Sequence, residues 1–467
     1  MPLIDPADPR PLHFMGIAGA GMSALAELAV RRGARVTGCD SVADPTGDLT
    51  RLGIAVARGH DPAHLAGARA LVVTSAVPRD HAEVTRARDL GLPVVRRAEA
   101  LAQAVAGGTL VAIAGTHGKT TTTVMTTDAL AAAGMDPTGL AGGRVGAWGG
   151  NLRAGAERIF VVEADEYDRS FLALTPTVAV VTNIEADHLD IYTDLADIRA
   201  AFGTFVGPAS SIILSADDEG ARSLPVPPTA QVLRFGTGSP DARLVAREIR
   251  TTATGTRFVV VFDGEQLGEV GLRVPGLHNV RNALAAIAVG IVLDVPLASL
   301  APGLERFTGV ERRFQRLGER GGVTVIDDYA HHPTEIRATL DAARAAFPGR
   351  RLVIAFQPHL YTRTRDFATG FADALGAADV VFLTDIYPAR ERAIPGVSAD
   401  LIAVPLGRAG RPAAWQGPRD GLAAALAGAA RPGDVVLTVG AGDITRTGPE
   451  LLERLGSGSG VDARRSA

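Results

Sequence analysis

Thr109-Leu-Val-Ala-Ile-Ala-Gly-Thr-His-Gly-Lys-Thr-Thr-Thr122 is a short apolar run, then a glycine turn, then the start of a Thr/Ala/Leu-rich stretch that continues to Ala133 before Gly134 stops it. The first part reads as a buried strand and the last as a helix. A glycine-rich turn between them gathers backbone N–H groups and the positive end of the helix dipole around an anion, as in phosphate-binding loops. Lys119 is the only lysine of 467 residues, whereas the other 46 of the 47 basic residues are arginine. Keeping an ammonium at this one position points to chemistry. The spacing departs from Gly-x4-Gly-Lys-Thr, which would require glycine where Ile113 stands. The plain alternative is a tight strand-to-helix turn with an incidental lysine.

The bulk of the chain frames that loop. With 46% hydrophobic and 21% charged residues, it has the composition of an ordinary soluble globular protein, and its length predicts two to four domains. A net charge of -4 argues against a nucleic-acid footprint, so anionic ligands must be held by local sites. The single cysteine, Cys39, forms no internal disulfide and reads as a small buried residue in a reducing compartment. No secretory signal or membrane span is evident, since the apolar run Ala283 to Leu293 is cut by Asp294. A cytoplasmic protein is expected, without a membrane partner. Met1–Arg10 and the glycine-rich tail Gly456–Ala467 read as loose ends.

Pro11-Leu-His-Phe-Met-Gly-Ile-Ala-Gly-Ala-Gly-Met-Ser23 repeats the strand-turn-helix theme, with Gly16, Gly19 and Gly21 in the turn and a helix from about Ser23 to Arg32. This GxxGxG spacing is not the dinucleotide GxGxxG. Asp40, at the end of the next strand, is of the type that binds a ribose hydroxyl, and Ser75 ends a later strand, where open α/β sheets bind ligands. Singly, Asp40 reads equally as a cap and Ser75 as a turn residue.

Two further apolar runs end in polar clusters: Glu163, Asp165 and Glu166 after Arg158–Val162, and Asn183, Glu185, Asp187 and His188 after Thr177–Thr182. Such continuous Val/Ile runs fit parallel strands buried on both faces, whose ends should converge near the Lys119 loop. Magnesium prefers oxygen ligands from one or two carboxylates, substrate phosphates and a loop hydroxyl, here Thr120, with Glu163 the leading carboxylate. His188 is either a softer ligand or a hydrogen-bonding neighbour. Between Leu244 and Arg273 the pattern alternates around Thr254-Gly255 and Asp263-Gly264, predicting antiparallel hairpins added to a parallel sheet. Gly276-Leu-His-Asn-Val-Arg-Asn282 then opens a helix, with Asn279 a cap and Asn282 one turn further on, suited to a base.

Beyond a charged connector, Gly309–Phe314, four more buried strands alternate with helical stretches, which predicts a second doubly wound unit with a boundary near 312 to 320. Four histidines fall in strand-end motifs: His188, His331, His332 and His359. A transition-metal centre is a rival explanation, without cysteine partners or His-x3-His spacing to support it.

The ordered set HFMGIAGAGMSALAE, GTHGKTTT, VVEADEYDRSF, TNIEADHLD, GLHNVRNALAA, GVERRF, DDYAHHPTE, FQPHLYTRTRDF and DIYPARE, spread over residues 12 to 445, resembles the Mur ligases of peptidoglycan synthesis. The resemblance implies an α/β protein of three domains. A Rossmann-like UDP-sugar domain (11–106) precedes a central P-loop ATPase with a parallel sheet plus antiparallel hairpins (107–312) and a C-terminal Rossmann-like domain closing over the site (313–455), with a tail at 456–467. It implies an ATP-dependent amide ligase that joins L-alanine to the lactyl carboxylate of UDP-N-acetylmuramate through an acyl phosphate, as a monomer or homodimer. By the same resemblance Gly16, Gly19, Gly21, Met22, Ser23, Asp40 and Ser75 lie near the UDP moiety. Gly115, Thr116, His117, Gly118, Lys119, Thr120 and Thr121 hold ATP; Thr120, Glu163 and His188 hold magnesium; His278 and Asn282 flank adenine; and Arg313 reaches the nucleotide. Tyr329, His331, His359 and Arg363 serve the alanine and acyl end, with Lys119, His188, His331 and Arg363 the residues closest to the chemistry.

Two departures stand out. Some relatives carry arginine after the histidine of FQPH, whereas this chain has Leu360, which shifts that anion-binding role towards Arg363. Several sibling ligases use a carbamylated lysine, and a chain whose sole lysine is Lys119 has none to spare. Three rivals stay in view: a ligase attaching a recycled tripeptide to the same sugar, an NAD-dependent oxidoreductase, and a P-loop switch or motor. The last two leave either the Lys119 loop or the first glycine turn unexplained.

Overall fold

The structure, a computed structural model, describes residues 3–42, 44, 46–74 and 76–457. Its three sheets are those of an α/β protein. The first is all-parallel: β1 (Leu12–Met15), β2 (Val36–Asp40), β3 (Ala55–Arg58), β4 (Ala70–Val73) and β5 (Val94–Arg96), ordered 3-2-1-4-5. Because β2 and β4 flank β1 on opposite sides, the chain reverses its winding there. That places a crevice at the end of β1, where the Gly16 turn begins.

The second sheet has ten strands. They are β6 (Thr109–Ala114), β7 (Thr138–Val145), β8 (Gly150–Arg153), β9 (Ile159–Glu163), β10 (Val178–Val181), β11 (Ser211–Ser215), β12 (Gln231–Gly236), β13 (Leu244–Thr252), β14 (Gly255–Phe262) and β15 (Glu265–Leu272), in the order 15-14-13-12-11-10-6-9-7-8. β6 lies between β9 and β10 and is parallel to both, with Ile113 opposite Glu163 and Ala114 opposite Val181. This register brings the two polar strand ends to either side of the Lys119 loop. The Asp263-Gly264 turn has positive φ at both residues (50° and 86°), the backbone that a two-residue hairpin requires. An antiparallel pair, β7 with β8, extends the other edge. Its sequence carries several glycines and little alternation, so no strand was expected there.

β16 (Gln315–Arg320), β17 (Val323–Asp328), β18 (Leu352–Phe356), β19 (Val380–Thr384), β20 (Trp415–Gly417) and β21 (Val435–Val439) form the third sheet, ordered 16-17-21-18-19-20 and parallel except for β16. Ile326, Ile354 and Leu437 enter one core and Val325, Val353 and Val436 another, so the sheet is buried on both faces, as continuous apolar strands demand.

The chain forms two compact units. One holds everything up to Arg247 together with Val259–Val270 and Arg281–Arg306. The other holds Glu248–Phe258, Gly271–Val280 and the described residues from Phe307 onward. The first sheet and most of the second share a unit because their cores merge, with Leu25 and Leu28 of the helix Ala20–Arg31 in one cluster with Leu140 and Leu152. Arg32 adds an ion pair with Glu157 at 2.9 Å.

Three local expectations need correction. The first helix begins at Ala20 rather than near Ser23, because Gly19 already caps it. From Leu3 onward the N-terminal stretch is pinned: Leu3 and Ile4 pack on the core, and Arg69 donates to the Leu3 carbonyl at 2.5 Å, while Met1 and Pro2 lie outside the described residues. The last helix runs Thr447–Ser457, so Gly456 belongs to it; residues 458–467 lie outside the described residues. Among the described residues, no helix is long and apolar enough to cross a membrane.

Candidate active site

Lys119 opens the helix Lys119–Ala132, which has Gly118 as its cap. The first intrahelical bond runs from Thr122 N to Gly118 O (2.9 Å), so the amides of Lys119, Thr120 and Thr121 at the helix start have no intrahelical acceptor. Two glycines have no substitute here. A Cβ on Gly115 (φ 140°) would stand 2.0 Å from Thr182 Oγ1, and one on Gly118 (φ 81°) 2.6 Å from Asn282 Oδ1. The loop is latched to the end of β10: Thr116 N donates to Asn183 O (3.0 Å), His117 N to Asn183 Oδ1 (2.8 Å), and Thr182 Oγ1 to His117 O (2.6 Å). His117 Nε2 lies 3.5 Å from Glu185.

The lysine itself folds back. Its ammonium donates to Gly115 O (2.7 Å), Thr116 O (3.3 Å) and both oxygens of Glu166 (2.7 and 3.0 Å). Burial works against its charge, but Glu166 and Asp165 outweigh that and hold the ammonium above its ordinary range. Glu166 is 2% exposed, and burial pushes its carboxyl up to about 7 despite Lys119. Tyr192 Oη donates to the Glu166 carbonyl at 2.6 Å. Glu166 was legible only as one member of a carboxylate cluster; its hold on the lysine, 47 positions away, has no local signature.

Thr120 Oγ1 donates to Glu163 Oε1 (3.0 Å), and Gly142 N donates to Oε2 (2.6 Å). A hydroxyl and a carboxylate thus converge beside the loop amides, a hard-oxygen donor set that fits magnesium. His188, at positive φ (52°), directs Nε2 to within 3.7 Å of Glu166 Oε1 and 3.8 Å of Asp187 Oδ2. Its ring faces the lysine's partner, so it borders the same cluster. Thr121 is buried in the helix's first turn. Asn282 is buried too, and its Oδ1 takes a hydrogen bond from Thr122 Oγ1 at 3.2 Å, which braces the loop helix. His278 and Asn279 lie within the first turn of the helix Leu277–Val292 rather than before it; Asn279 Nδ2 donates to Pro275 O.

In the first sheet, the glycine turn is held by Gly16 N and Ile17 N on Cys39 O (2.8 and 3.2 Å) and by Ala18 N on Asp40 Oδ2 (3.0 Å). Asp40 Oδ1 also accepts from Ser41 Oγ and Val42 N, so its carboxylate organises the turn. Met22 is 2% exposed, with its side chain in the core; Ser23 Oγ bonds back to Ala20 O, and the amides of both residues donate to Gly19 O (2.9 and 2.8 Å). A Cβ on Gly21 would approach Arg97, whose guanidinium lies 3.8 Å from Asp165. The turn borders a cavity of about 170 Å³ lined in part by Ala18, Ser23, Glu27, Asp48, Arg144 and Asn151. Ser75 lies outside the described residues.

A second cluster forms at the strand ends of the third sheet. The Tyr329 ring lies under the Arg313 and Arg312 guanidiniums (5.1 and 4.8 Å) and edge-on to His331, which approaches His359. His331 Nδ1 is 3.0 Å from Tyr329 O and 3.3 Å from Glu335, so the neutral ring carries its proton on Nδ1. Arg363, 6% exposed, reaches His359 Nδ1 at 3.4 Å. Leu360 has positive φ (71°) and is buried, anchoring the turn before that arginine. Tyr387, stacked on His359, and Glu335, beside Arg313, complete the cluster; neither was singled out by sequence, although Tyr387 lies in the DIYPARE motif.

Comparison with known proteins accounts for the arrangement. Three family models match in order: "Mur ligase family, catalytic domain" over residues 11–109, "Mur ligase middle domain" over 113–290, and "Mur ligase, glutamate ligase domain" over 312–442. The chain is 46% identical over 451 residues to a UDP-N-acetylmuramate–L-alanine ligase of Acidothermus cellulolyticus, covering 95% of this chain and 94% of that one. Its structure is similar to that of the UDP-N-acetylmuramate-alanine ligase of Thermotoga maritima (TM-score 0.83, 31% identity, 96% of this chain and 100% of that one). It is less similar to a murein peptide ligase of Psychrobacter arcticus (TM-score 0.71, 26% identity, 96% and 99%). From the glycine turns to the histidine cluster, this chain belongs to the Mur ligase family.

Proposed function

We propose that the protein is an ATP-dependent ligase that joins L-alanine to the lactyl carboxylate of UDP-N-acetylmuramate in peptidoglycan precursor synthesis. The reaction class is carried by one observation: the chain's sole lysine sits in a glycine loop at the end of a central parallel strand, beside a hydroxyl–carboxylate pair. The choice of alanine over a tripeptide is supported by the higher identity to the alanine ligases.

In this reading 11–106 binds the UDP-sugar, 107–312 binds ATP, and 313–455 binds the amino acid. Phosphoryl transfer demands positioning and charge neutralisation more than covalent chemistry. Lys119, released from Glu166, neutralises the β- and γ-phosphates, while the amides from Gly118 to Thr121 cradle them and Gly115, Thr116 and His117 shape the loop around ATP. Thr120 and Glu163 are the oxygen donors for magnesium, with His188 alongside; the metal would supply further neutralisation of phosphate charge. The lactyl carboxylate attacks the γ-phosphorus and ADP leaves. The alanine amine then attacks the acyl carbon, forming the C–N bond as the C–O bond to phosphate breaks, and its proton passes to a base, His331 Nε2 or His359. His278 and Asn282 serve adenine, Arg313 the nucleotide, and Tyr329, His359 and Arg363 the alanine and acyl end. Gly16, Gly19, Gly21, Met22, Ser23, Asp40 and Ser75 serve the UDP moiety. The protein acts in the cytoplasm, as a monomer or homodimer.

The test is ADP release from ATP with UDP-N-acetylmuramate and, in turn, L-alanine, glycine, L-serine and the tripeptide. Release that requires the sugar and is fastest with L-alanine is expected. Equal release without any amino acid, or a preference for the tripeptide, overturns the assignment.

A further inference from the structure

Away from the loop, the first sheet contains a buried polar cluster that the ligase reaction does not use. His13 on β1 and Cys39 on β2 lie on the same face of adjacent strands, with His13 opposite Thr37 in register. His64 comes from the turn Pro62–Leu65, and Glu83 from the first turn of the helix Ala82–Asp89. One ligand atom from each of the four residues lies within 4.8 Å of every other. His13 is 1% exposed, and Cys39 and Glu83 are fully buried. The Nδ1 of His13 is engaged by Thr37 Oγ1 at 3.0 Å, while Nε2 is buried and has no hydrogen-bond partner among the described residues. An orphaned imidazole nitrogen in a protein interior is costly unless something occupies its lone pair.

We propose that His13, Cys39, His64 and Glu83 form a site for a transition-metal dication, zinc being the best fit. Two imidazoles, a thiolate and a carboxylate make a four-coordinate set of the type zinc takes in closed structural sites. The two anionic ligands cancel the charge of a dication, so the loaded site buries no net charge. The Thr37 hydroxyl on the far nitrogen of His13 fixes the ring's orientation, the part that outer partners play for ligating imidazoles. Leu65, Leu71 and Val84 pack around the cluster and exclude water.

Without metal, the Cys39 sulfur lies 3.2 Å from His60 Nδ1 and 3.4 and 3.5 Å from the two Glu83 oxygens, towards which the thiol donates. Binding therefore expels that proton to solvent as the sulfur becomes a thiolate ligand. The same Cys39 accepts from Gly16 N and Ile17 N through its carbonyl, so a metal on its sulfur anchors the strand that holds the glycine turn.

Cobalt reads the site selectively, because Cys39 is the only thiol in the chain. Full-length protein stripped with chelator and titrated with Co²⁺ should give a thiolate-to-cobalt charge-transfer band that saturates at one equivalent and is bleached by Zn²⁺. Cys39→Ser should abolish the band. His13→Ala should weaken the affinity by at least about tenfold, as losses around metal sites do. His64→Ala, at a partly exposed position, repeats that test should His13→Ala fail to fold. No band at stoichiometric cobalt, or a band with unchanged affinity in the histidine variant, overturns the proposal.

Discussion

Lys119 and Glu166 are a buried pair, and breaking it from the two sides has different consequences. Lys119→Ala removes the ammonium proposed to neutralise the phosphates and leaves Glu166 without its cation. ADP release should fall by at least about 10²-fold, as it does when one transition-state charge stabiliser is lost, while UDP-sugar binding by calorimetry stays close to wild type. Glu166→Ala leaves the ammonium buried without its carboxylate and should cost about 3 kcal/mol in urea unfolding, with Glu166→Gln costing less because its carbonyl oxygen still accepts. Gly115→Ala tests the loop itself. The added Cβ meets Thr182 Oγ1 at 2.0 Å, so stability and ATP affinity should both fall. Adding Thr182→Ala should restore part of the stability, the coupling being read from a double-mutant cycle; no restoration would place the cost in the φ of 140° alone.

Between elements, Asp217 shows how a loop carboxylate ties strands to a helix. It follows β11 and accepts from Thr237 N, Gly238 N and Ser239 N after β12 and from Arg281 Nε at 2.9 Å. Burial alone would raise its pKa, but the Thr237 hydroxyl, at 2.7 Å, and the three amides win and hold it at about 2, below the ordinary 3.8. The unfolded state therefore binds the proton first as pH falls. The stabilisation is complete above the unfolded value, about 2 kcal/mol by linkage, and is lost progressively as pH drops towards 2. Asp217→Asn should be less stable at neutral pH, with the gap to wild type narrowing below about pH 4. A pH-independent gap in chemical denaturation would contradict this account.

At the scale of the molecule, a chain that divides into two compact units predicts unfolding in more than one step. Calorimetry should resolve two transitions, and ATP with magnesium should raise the one belonging to the Lys119 unit. At 100 times the dissociation constant the gain is about 2.7 kcal/mol, absent in Lys119→Ala. A single transition that moves as a whole would instead mean that the units unfold together.

Much was legible in local sequence because its causes are local. Runs such as Leu110–Ala114 and Val178–Val181 are apolar on both faces, and the glycine turns after β1 and β6 need only adjacent residues to form. Those features, with the sole lysine, announced doubly wound parallel sheets and a phosphate-type loop; the count of three domains came from the family resemblance. The rest depends on contacts between distant positions. Strand order brings Glu163, Glu166, Asn183 and His188 around Lys119; Asn282 meets Gly118 across more than 160 residues. It also turned Asp40 and Asn282 towards the backbone and helix that they brace. The cluster of His13, Cys39, His64 and Glu83 had no motif at all, because a buried polar site spread over 70 positions is specified by packing and not by spacing. Sequence determined which chemistry the chain carries, since side-chain type and local periodicity suffice for that; tertiary structure decided which groups meet, because burial and register couple residues that the chain keeps far apart.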